Sequence, residues 1–363
     1  MSEAATLKPL AALGWNSFFA EHFAAFAQEG YDVGRVAIQH KNAYVLLTAH
    51  GELRGEITGK MLYFADSPQD LPAVGDWVVI RPRLEESAAT IHELLPRKSK
   101  FVRKAAGEKV EEQVVAANID NVFLVTGLDG DYNLQRLERY LVLAWESGAH
   151  PIVILNKIDL CADLPALLQE VESVALGVPI LTMSALGNEG VGAMRPHLGL
   201  GTTGALLGSS GVGKSTIINQ LLGEERQKVK EVRATDSRGR HTTTYRELIL
   251  LPSGGVLMDT PGMRELQMWS SGEGIADTFE DLLALAEQCR FRDCKHLAEP
   301  GCAVRTALEE GTLDQRRYGN YLKLQKEIAY QDRKGDLMAE LKVKEQWKKI
   351  HARQKRHYNK KPS

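Results

Sequence analysis

A strand, loop and helix pattern in the middle of the chain constrains its fold more than any other sequence feature. The apolar run Ala205–Leu207 precedes a glycine-rich loop, and the helical stretch Ser215–Leu222 follows it. In that context the loop is predicted to be a P-loop, whose backbone N–H groups surround phosphate oxygens at a helix N-terminus. The alternative is a plain glycine-rich turn. The predicted phosphate-binding residues are Gly208, Ser209, Ser210, Gly211, Val212, Gly213, Lys214, Ser215 and Thr216.

The chemistry of a P-loop gives two of these residues specific roles. Lys214 is expected to reach the β- and γ-phosphates of a nucleotide, and Ser215 to bind Mg²⁺. Short, fully apolar runs alternate with helical stretches around the loop, which predicts a mostly parallel sheet covered by helices. The predicted strands are Val122–Thr126, Ile152–Leu155, Ile180–Met183, Ala205–Leu207 and Gly255–Met258.

Two motifs at predicted strand ends indicate which base is bound. Asn156, Lys157 and Asp159 belong to an N-K-I-D tetrapeptide that follows the strand Ile152–Leu155. An aspartate accepts two hydrogen bonds from guanine, and adenine would leave that carboxylate unpaired. Taken alone, N-K-I-D is equally typical of a helix cap. Ser184 and Ala185, after the next strand, resemble a loop whose backbone N–H contacts the guanine oxygen.

Two further segments are expected to contact the γ-phosphate and its metal. Asp259 ends the strand Gly255–Met258 and begins D-T-P-G, in which Gly262 permits close backbone approach. A carboxylate at this position is a partner for Mg²⁺. The segment Arg240–Thr244 lies between the P-loop and Asp259, where a threonine, Thr243, is expected to bind Mg²⁺. The alternatives are a plain turn and a strand start, respectively.

The order of these motifs is unusual. In ordinary GTPases the phosphate-binding motifs precede N-K-x-D, whereas here Asn156–Asp159 comes about fifty residues before Gly208. The strands still form one sheet if the chain is circularly permuted.

Three of the four cysteines cluster with a histidine near the C-terminus. The predicted ligands are Cys289, Cys294, His296 and Cys302, and Cys161 stands apart. Three thiolates and one imidazole saturate a tetrahedral Zn²⁺, so we expect one structural zinc per chain. The alternative is three buried cysteines without a metal.

The N-terminal third has a different pattern. Leu13–Ala27 places aromatic residues at helical spacing, and short β-rich runs with turn residues then continue to about Arg97. They predict a compact antiparallel barrel. Pro96–Lys104 is basic and is predicted to be a linker. Four aromatic residues of the barrel are either core residues or a platform for RNA bases, namely Tyr44, Tyr63, Phe64 and Trp77.

Composition and charge bound the cellular setting. The 363 residues are 44% hydrophobic and 25% charged, without an apolar run of about eighteen residues. We therefore expect a cytoplasmic protein without a membrane partner. The net charge is −2, but residues 342–363 carry nine Lys or Arg against one acid, Glu345, leaving −10 elsewhere. Such a tail is either a solvated helix end or a nucleic-acid contact.

Taken together, these motifs resemble the RsgA (YjeQ) family of circularly permuted GTPases, which assist maturation of the small ribosomal subunit. The matching residues are Asn156–Asp159, Gly208–Thr216, Gly239–Thr244, Asp259–Gly262 and the Cys289, Cys294, His296 and Cys302 cluster, within residues 31–330. The resemblance implies GTP hydrolysis to GDP stimulated by that subunit, with Mg²⁺ and Zn²⁺ as cofactors and the subunit and its rRNA as partners.

The resulting expectation is a multidomain chain. It has a helical extension (1–30), an OB-type β-barrel (31–98), a permuted α/β P-loop GTPase domain (99–272), a mostly helical zinc-binding domain (273–340) and a basic tail (341–363), and we expect a monomer. One rival is an RNA-binding scaffold with a regulatory nucleotide pocket. Another is a metabolic P-loop kinase, in which Asp159 would have no role.

The residue that activates water is not given by the usual motif. Many GTPases place a glutamine directly after the glycine equivalent to Gly262, but here Met263 stands there and lacks both donor and acceptor. His241 is the candidate catalytic residue, because its imidazole can orient water near neutral pH and the resemblance favours it. The alternative is that His241 packs in its loop.

Overall fold

A computed structural model describes residues 10–40, 43–104, 112–223, 246–259, 273–330 and 333. Its strands are β1 (Asp32–Gln39), β2 (Tyr44–Thr48), β3 (Gly51–Ile57), β4 (Trp77–Arg83), β5 (Ala88–Leu94), β6 (Lys100–Lys104), β7 (Glu112–Ala117), β8 (Asn121–Gly127), β9 (His150–Asn156), β10 (Ile180–Met183), β11 (Thr203–Leu207), β12 (Glu247–Leu250) and β13 (Val256–Asp259). Its helices are α1 (Ser17–Gln28), α2 (Gly59–Phe64), α3 (Leu134–Ser147), α4 (Leu164–Glu172), α5 (Lys214–Leu222), α6 (Glu273–Thr278), α7 (Glu280–Glu287), α8 (Ala303–Glu309) and α9 (315–330).

The first five strands close into an OB-type barrel. Their order is β1-β2-β3-β5-β4, and β4 pairs again with β1 to complete the ring. The β3–β5 pair is parallel and the other pairs are antiparallel. Val36, Leu46, Ile80 and Ile91 fill the interior and are fully buried, so apolar burial holds the barrel together. The sequence prediction of a barrel is confirmed, although it found neither β3 nor β5.

Helix α1 covers the barrel through an aromatic cluster. The Asn16 side chain caps the helix by accepting from the Phe18 N–H. The rings of Trp15 and Phe19 lie 4.8 and 5.8 Å from the ring of Trp77, which is fully buried.

Burial decides which barrel aromatics can meet RNA. Trp77 and Tyr44 are core residues, 0% and 6% exposed, so for these two the core alternative is the one that the structure supports. Tyr63 and Phe64 on α2 are 83% and 67% exposed. Tyr44 packs in the barrel interior, whereas Trp77 packs on the outer face of the barrel beneath α1. Tyr63 and Phe64 lie on α2, outside the barrel.

The predicted linker Pro96–Lys104 is a structural segment. Its second half is β6, which pairs with β7 in a two-stranded sheet. Arg97 donates to both carboxylate oxygens of the fully buried Asp76, at 2.8 and 2.7 Å. Burial raises the pKa of Asp76 against the opposing effect of Arg97. The linker prediction rested on the positive charges alone, whereas the second half of the segment is a strand and Arg97 pairs with Asp76, twenty-one residues away.

The central sheet has the order β10-β9-β8-β11-β13-β12, and only β12 runs antiparallel to its neighbour. Every predicted strand of this region is present. Strand β12 was missed because it is short and half of its residues are not buried. One register contact, Ile38 with Glu247, joins this sheet to the barrel.

Helices α6 to α9 share an apolar core with α3 and the central sheet, and one buried charge cluster adds to this packing. Arg317 of α9 is 6% exposed and donates to Glu138 of α3 at 2.7 Å and to Asp281 of α7 at 2.6 Å. Burial raises the pKa of Glu138, and hydrogen bonds from Asn320 and Arg317 oppose that rise. Among the described residues, no helix has both the length and the apolar character needed to cross a bilayer.

Candidate functional site

The predicted nucleotide motifs meet at one edge of the central sheet. Strands β8, β9, β10, β11 and β13 are parallel, so their carboxyl ends lie on the same side. The loops after these strands carry the motifs, and such an edge is where α/β sheets bind ligands. The sheet thus brings together segments that the chain separates by up to about a hundred residues.

Asn156 connects three of these segments. Its side-chain amide donates to the Val212 carbonyl of the P-loop at 2.7 Å. Its Oδ1 accepts from the Ala185 backbone N–H at 2.9 Å. The side chain is 2% exposed, and a buried amide with both ends paired fixes the relative position of the loops that it joins.

Close approach and backbone geometry require glycine in the P-loop. Gly211 and Gly213 have φ of 79° and 102°, values that favour glycine. A Cβ on Gly213 would lie 2.2 Å from Asn156 Nδ2, and one on Gly208 would lie 2.3 Å from the Val125 carbonyl oxygen. The loop can therefore pack against both neighbouring strand ends only with glycine at these positions.

The P-loop leads directly into helix α5, which begins at Lys214. The Lys214 ammonium donates to the carbonyls of Gly208 and Ser209, at 2.8 and 2.6 Å. Ser215 and Thr216 follow in the first turn and are half-buried, while Ser210 is exposed at the loop tip. A helix N-terminus with this loop can bind phosphate through backbone N–H groups and a nearby cation.

The rest of the N-K-I-D motif forms a tight turn. Lys157 adopts φ of 67°, and its ammonium donates to Asp129 Oδ2. Asp159 lies in the 3₁₀ turn Ile158–Leu160 and is exposed. Ser184 is buried, and its Oγ accepts from the Gly187 N–H at 3.3 Å.

The loop between β8 and α3 contributes two acids that the motif analysis missed. Asp129 pairs with Lys157, and Asp131 accepts a hydrogen bond from the Ser209 hydroxyl. Burial alone would raise the pKa of Asp129, but hydrogen bonds from Lys157 and the Asp131 N–H outweigh it and lower that pKa. Their position directly after a predicted strand beside Asn156 was the available sequence signal.

The γ-phosphate segments are described only in part. Asp259 ends β13, next to β11 and hence beside the P-loop. Gly262, Met263, His241 and Thr243 lie outside the described residues, as does the basic tail 342–363.

The predicted metal ligands form a compact group. The ligand atoms of Cys289, Cys294, His296 and Cys302 all lie within 4.8 Å of one another. Cys289 Sγ is 3.6 Å from His296 Nδ1 and 3.9 Å from Cys302 Sγ. All four cysteines of the chain are unpaired by disulfides, so this group can hold a metal ion.

Comparison with known proteins agrees with these motifs. The family model described as RsgA GTPase matches residues 94–269. A protein from Opitutus terrae named small ribosomal subunit biogenesis GTPase RsgA is 48% identical, with 95% of this chain and 97% of the relative covered. One from Oceanobacillus iheyensis, named small ribosomal subunit biogenesis GTPase RsgA 1, is 43% identical over 93% and 98%.

Two solved structures have a similar fold. YjeQ from Thermotoga maritima superposes with a TM-score of 0.63 at 27% identity, covering 82% of this chain and 99% of that one. YloQ, described as a circularly permuted GTPase, gives 0.60 at 25% identity, covering 83% and 96%.

Proposed function

The chain belongs to the RsgA GTPase family and is a GTP-hydrolysing enzyme, and from this premise we propose that it acts in late maturation of the small ribosomal subunit. Relatives over nearly the whole chain carry that role in their names. The subunit and its rRNA are the proposed partners, and they stimulate hydrolysis. The observation that best supports the nucleotide part is the Asn156 side chain, which joins the P-loop to the loop at Ala185.

In this proposal each motif residue has a defined task. Backbone N–H groups of Gly208–Thr216 and the Lys214 ammonium bind the β- and γ-phosphates. Asp159, exposed beside Asn156 and Lys157, accepts from guanine, and Ser184–Ala185 line the other side of the base. Asp259 and Gly262 face the γ-phosphate. An exposed Asp159 disfavours the kinase alternative, which leaves that residue without a role. The intact Lys214, Ser215 and Asp259 disfavour an RNA-binding scaffold that does not hydrolyse the nucleotide.

The donor set at the phosphate end fits Mg²⁺. A serine hydroxyl at the start of α5 and the Asp259 carboxylate on the neighbouring strand are the hard oxygen groups that Mg²⁺ prefers. We assign Ser215 and Thr243 as ligands. When bound with GTP, Mg²⁺ neutralises charge that develops on the phosphates.

The cysteine and histidine group fits one structural Zn²⁺. Tetrahedral Zn–S bonds of about 2.3 Å place two sulfurs about 3.8 Å apart, and the Cys289–Cys302 distance is 3.9 Å. Four protein ligands leave no position for a reacting water. Such a zinc would therefore stabilise residues 273–340 and take no part in hydrolysis.

We further propose that His241 orients the attacking water once the subunit is bound. The Met263 side chain has neither the amide donor nor the carbonyl acceptor of a glutamine, so intrinsic hydrolysis is expected to be slow. We also propose that the chain divides into domains at residues 31, 99, 273 and 341. RNA is proposed to contact the barrel and the tail. The protein is proposed to be a monomer and to act in the cytoplasm.

Turnover of GTP and ATP, with and without purified small ribosomal subunits, tests this function. We expect GTP to be hydrolysed in preference to ATP, with a large increase on adding subunits. In the same assay His241→Ala should lose the stimulated turnover and keep its GTP affinity. Equal turnover of both nucleotides would overturn the guanine site, and the absence of stimulation would overturn the ribosomal role.

A further inference from the structure

The loop between β8 and α3, residues 128–133, lies against the guanine motif. In the β8–β9 register Gly127 is opposite Asn156, and the Leu128 N–H donates to the Asn156 carbonyl at 2.8 Å. The loop therefore leaves the sheet beside the motif that the proposed function assigns to the base. No nucleotide motif includes it.

Asp129 is the residue of this loop that contacts the motif. Lys157 Nζ donates to its Oδ2. The carboxylate is itself held, because its Oδ1 accepts from the Asp131 N–H at 3.1 Å and its backbone carbonyl accepts from the Tyr132 N–H at 3.1 Å. The carboxylate that receives Lys157 is thus fixed by its own loop.

The surroundings of the Lys157–Asp129 pair restrict the motion of the lysine side chain. A Cβ on Gly127 would lie 3.0 Å from Asp129 Oδ1 and 3.5 Å from Lys157 Cδ, so a side chain there would crowd the pair. The side chains of Lys157 and Asp129 are 22% and 29% exposed. The pair is sheltered enough to restrict the lysine and open enough to leave its stem accessible from the site.

In the proposed function the stem of Lys157 lies along the plane of the base. Ordering this side chain on binding costs conformational entropy if it is disordered beforehand. Four rotatable bonds make this cost one of the largest among side chains. An anchored ammonium removes most of that cost before the nucleotide arrives, which is preorganisation. The benefit concerns the base and is therefore the same for GTP and GDP.

We propose that Asp129 is a positioning residue for guanine-nucleotide binding that acts by holding Lys157 in place. This inference rests on the proposed function, since it takes the base to bind at Lys157 and Asp159. The proposal does not include Asp131, whose carboxylate accepts a hydrogen bond from Ser209 of the P-loop.

A double-mutant cycle on the full chain tests the proposal. The variants are Asp129→Asn, Lys157→Met and the double variant, with fluorescent GDP and a non-hydrolysable GTP analogue as probes. We expect Asp129→Asn to raise both Kd values by the same factor, about 10-fold, from the lost ordering of one lysine. The turnover number at saturating GTP should stay within about twofold. The double variant should bind no more weakly than Lys157→Met alone, because the two residues act as one unit.

Two additional variants separate positioning from folding. Asp129→Glu retains the charge and should bind with an intermediate Kd. Asp277→Asn removes an exposed carboxylate on α6 and should bind as the parent does. Additive effects of Asp129→Asn and Lys157→Met, or an unchanged Kd in Asp129→Asn, would overturn the role of Asp129. If Asp129→Asn fails to fold, Asp129→Glu and Lys157→Met decide the question. Parental affinity in both of these variants would overturn the positioning role of Asp129.

The outcome is distinguishable from failure of the proposed function. That function fails if Asp159→Asn retains its preference for GTP over xanthosine triphosphate. If Asp159→Asn switches preference and Asp129→Asn binds as the parent does, only the positioning role is lost.

Discussion

The nucleotide edge and the cysteine–histidine cluster are built in opposite ways. The residues at the nucleotide edge are distant in sequence, from Asp129 to Asp259, and parallel strands bring them together. The cluster uses four side chains within fourteen residues, Cys289 to Cys302. Around it the chain is irregular, with Phe291 and Leu297 42% and 77% exposed. The sheet therefore holds the first site together without a ligand, whereas we expect a metal to hold the second.

Loss of the metal should have the largest effect. Binding of a structural zinc supplies about 10–16 kcal/mol in small metal-dependent domains. Cys289 and Cys294 are half-buried against the apolar core, and these contacts are smaller than the contribution expected from the metal. We expect Cys294→Ala, or chelation, to release one zinc per chain and expose residues 289–302 to hydrogen exchange. Nucleotide affinity should persist.

Cys161→Ala is the matched control, because Cys161 lies outside the cluster and is half-buried. It should retain zinc and exchange protection. Purified parent protein without zinc would contradict the comparison, as would a chelated protein that loses nucleotide binding to the same extent as protection.

The buried charge cluster between α9, α7 and α3 should give the next largest effect. Arg317→Met removes the cation paired with Glu138 and Asp281, and breaking a buried pair costs about 3–5 kcal/mol. Urea unfolding should show this loss. Arg54→Met, in a pair with Glu56 whose side chains are 69% and 49% exposed, should cost only about 0.2–1 kcal/mol.

The loss in Arg317→Met should depend on pH. Burial already raises the pKa of Glu138, and without Arg317 that pKa rises further. A raised pKa in the folded state favours the protonated form there, so the deficit should shrink as pH falls from 7 through that pKa. A deficit that grows on acidification would contradict the assignment of Glu138 as the stranded charge.

How much the sequence predicts also differs between the two regions. The cluster is local, so ligand spacing alone identifies its four residues. At the nucleotide edge, apolar runs identify β8, β9, β10, β11 and β13, and motifs identify the loops after them. Sequence motifs do not identify Asp129 and Asp131, because their partners, Lys157 and Ser209, are 28 and 78 residues away. Only the strand register brings these pairs together.

The same reason explains why Arg97, at the border of the barrel, was misassigned and why the role of Trp77 stayed open. Arg97 looks like a linker charge until Asp76 is placed beside it in the fold. Trp77 resembles a stacking platform until α1 covers it. Polar or aromatic residues whose partners lie on other elements carry no local pattern, so sequence alone leaves their roles open.

Removal of the phosphate-binding cation should reduce activity without reducing stability. Lys214→Ala deletes an ammonium whose described partners, the carbonyls of Gly208 and Ser209, lie in its own loop. We expect GTP turnover to fall about 100- to 1,000-fold, the range for loss of one group that stabilises developing charge, with an unchanged unfolding midpoint. Lys323→Ala, on the exposed side of α9, is the control. Parental turnover in Lys214→Ala would contradict the P-loop assignment.

The smallest effect is expected at the base, because Asp159 is an exposed residue of the nucleotide edge and its substitution leaves the sheet and the Asn156 contacts untouched. Asp159→Asn replaces a double acceptor by a group that also donates, which matches xanthine better than guanine. An unpaired donor in a binding site costs about 1–3 kcal/mol, so GTP affinity should fall about 10- to 100-fold while affinity for xanthosine triphosphate rises. Competition binding with GTP and xanthosine triphosphate measures this change in preference. Glu172→Gln, at the exposed end of α4, is the control for the loss of one negative charge. Because zinc content and stability should stay at parental values, a simultaneous loss of zinc would show that the two regions are coupled. An unchanged preference for GTP would remove Asp159 from the base site.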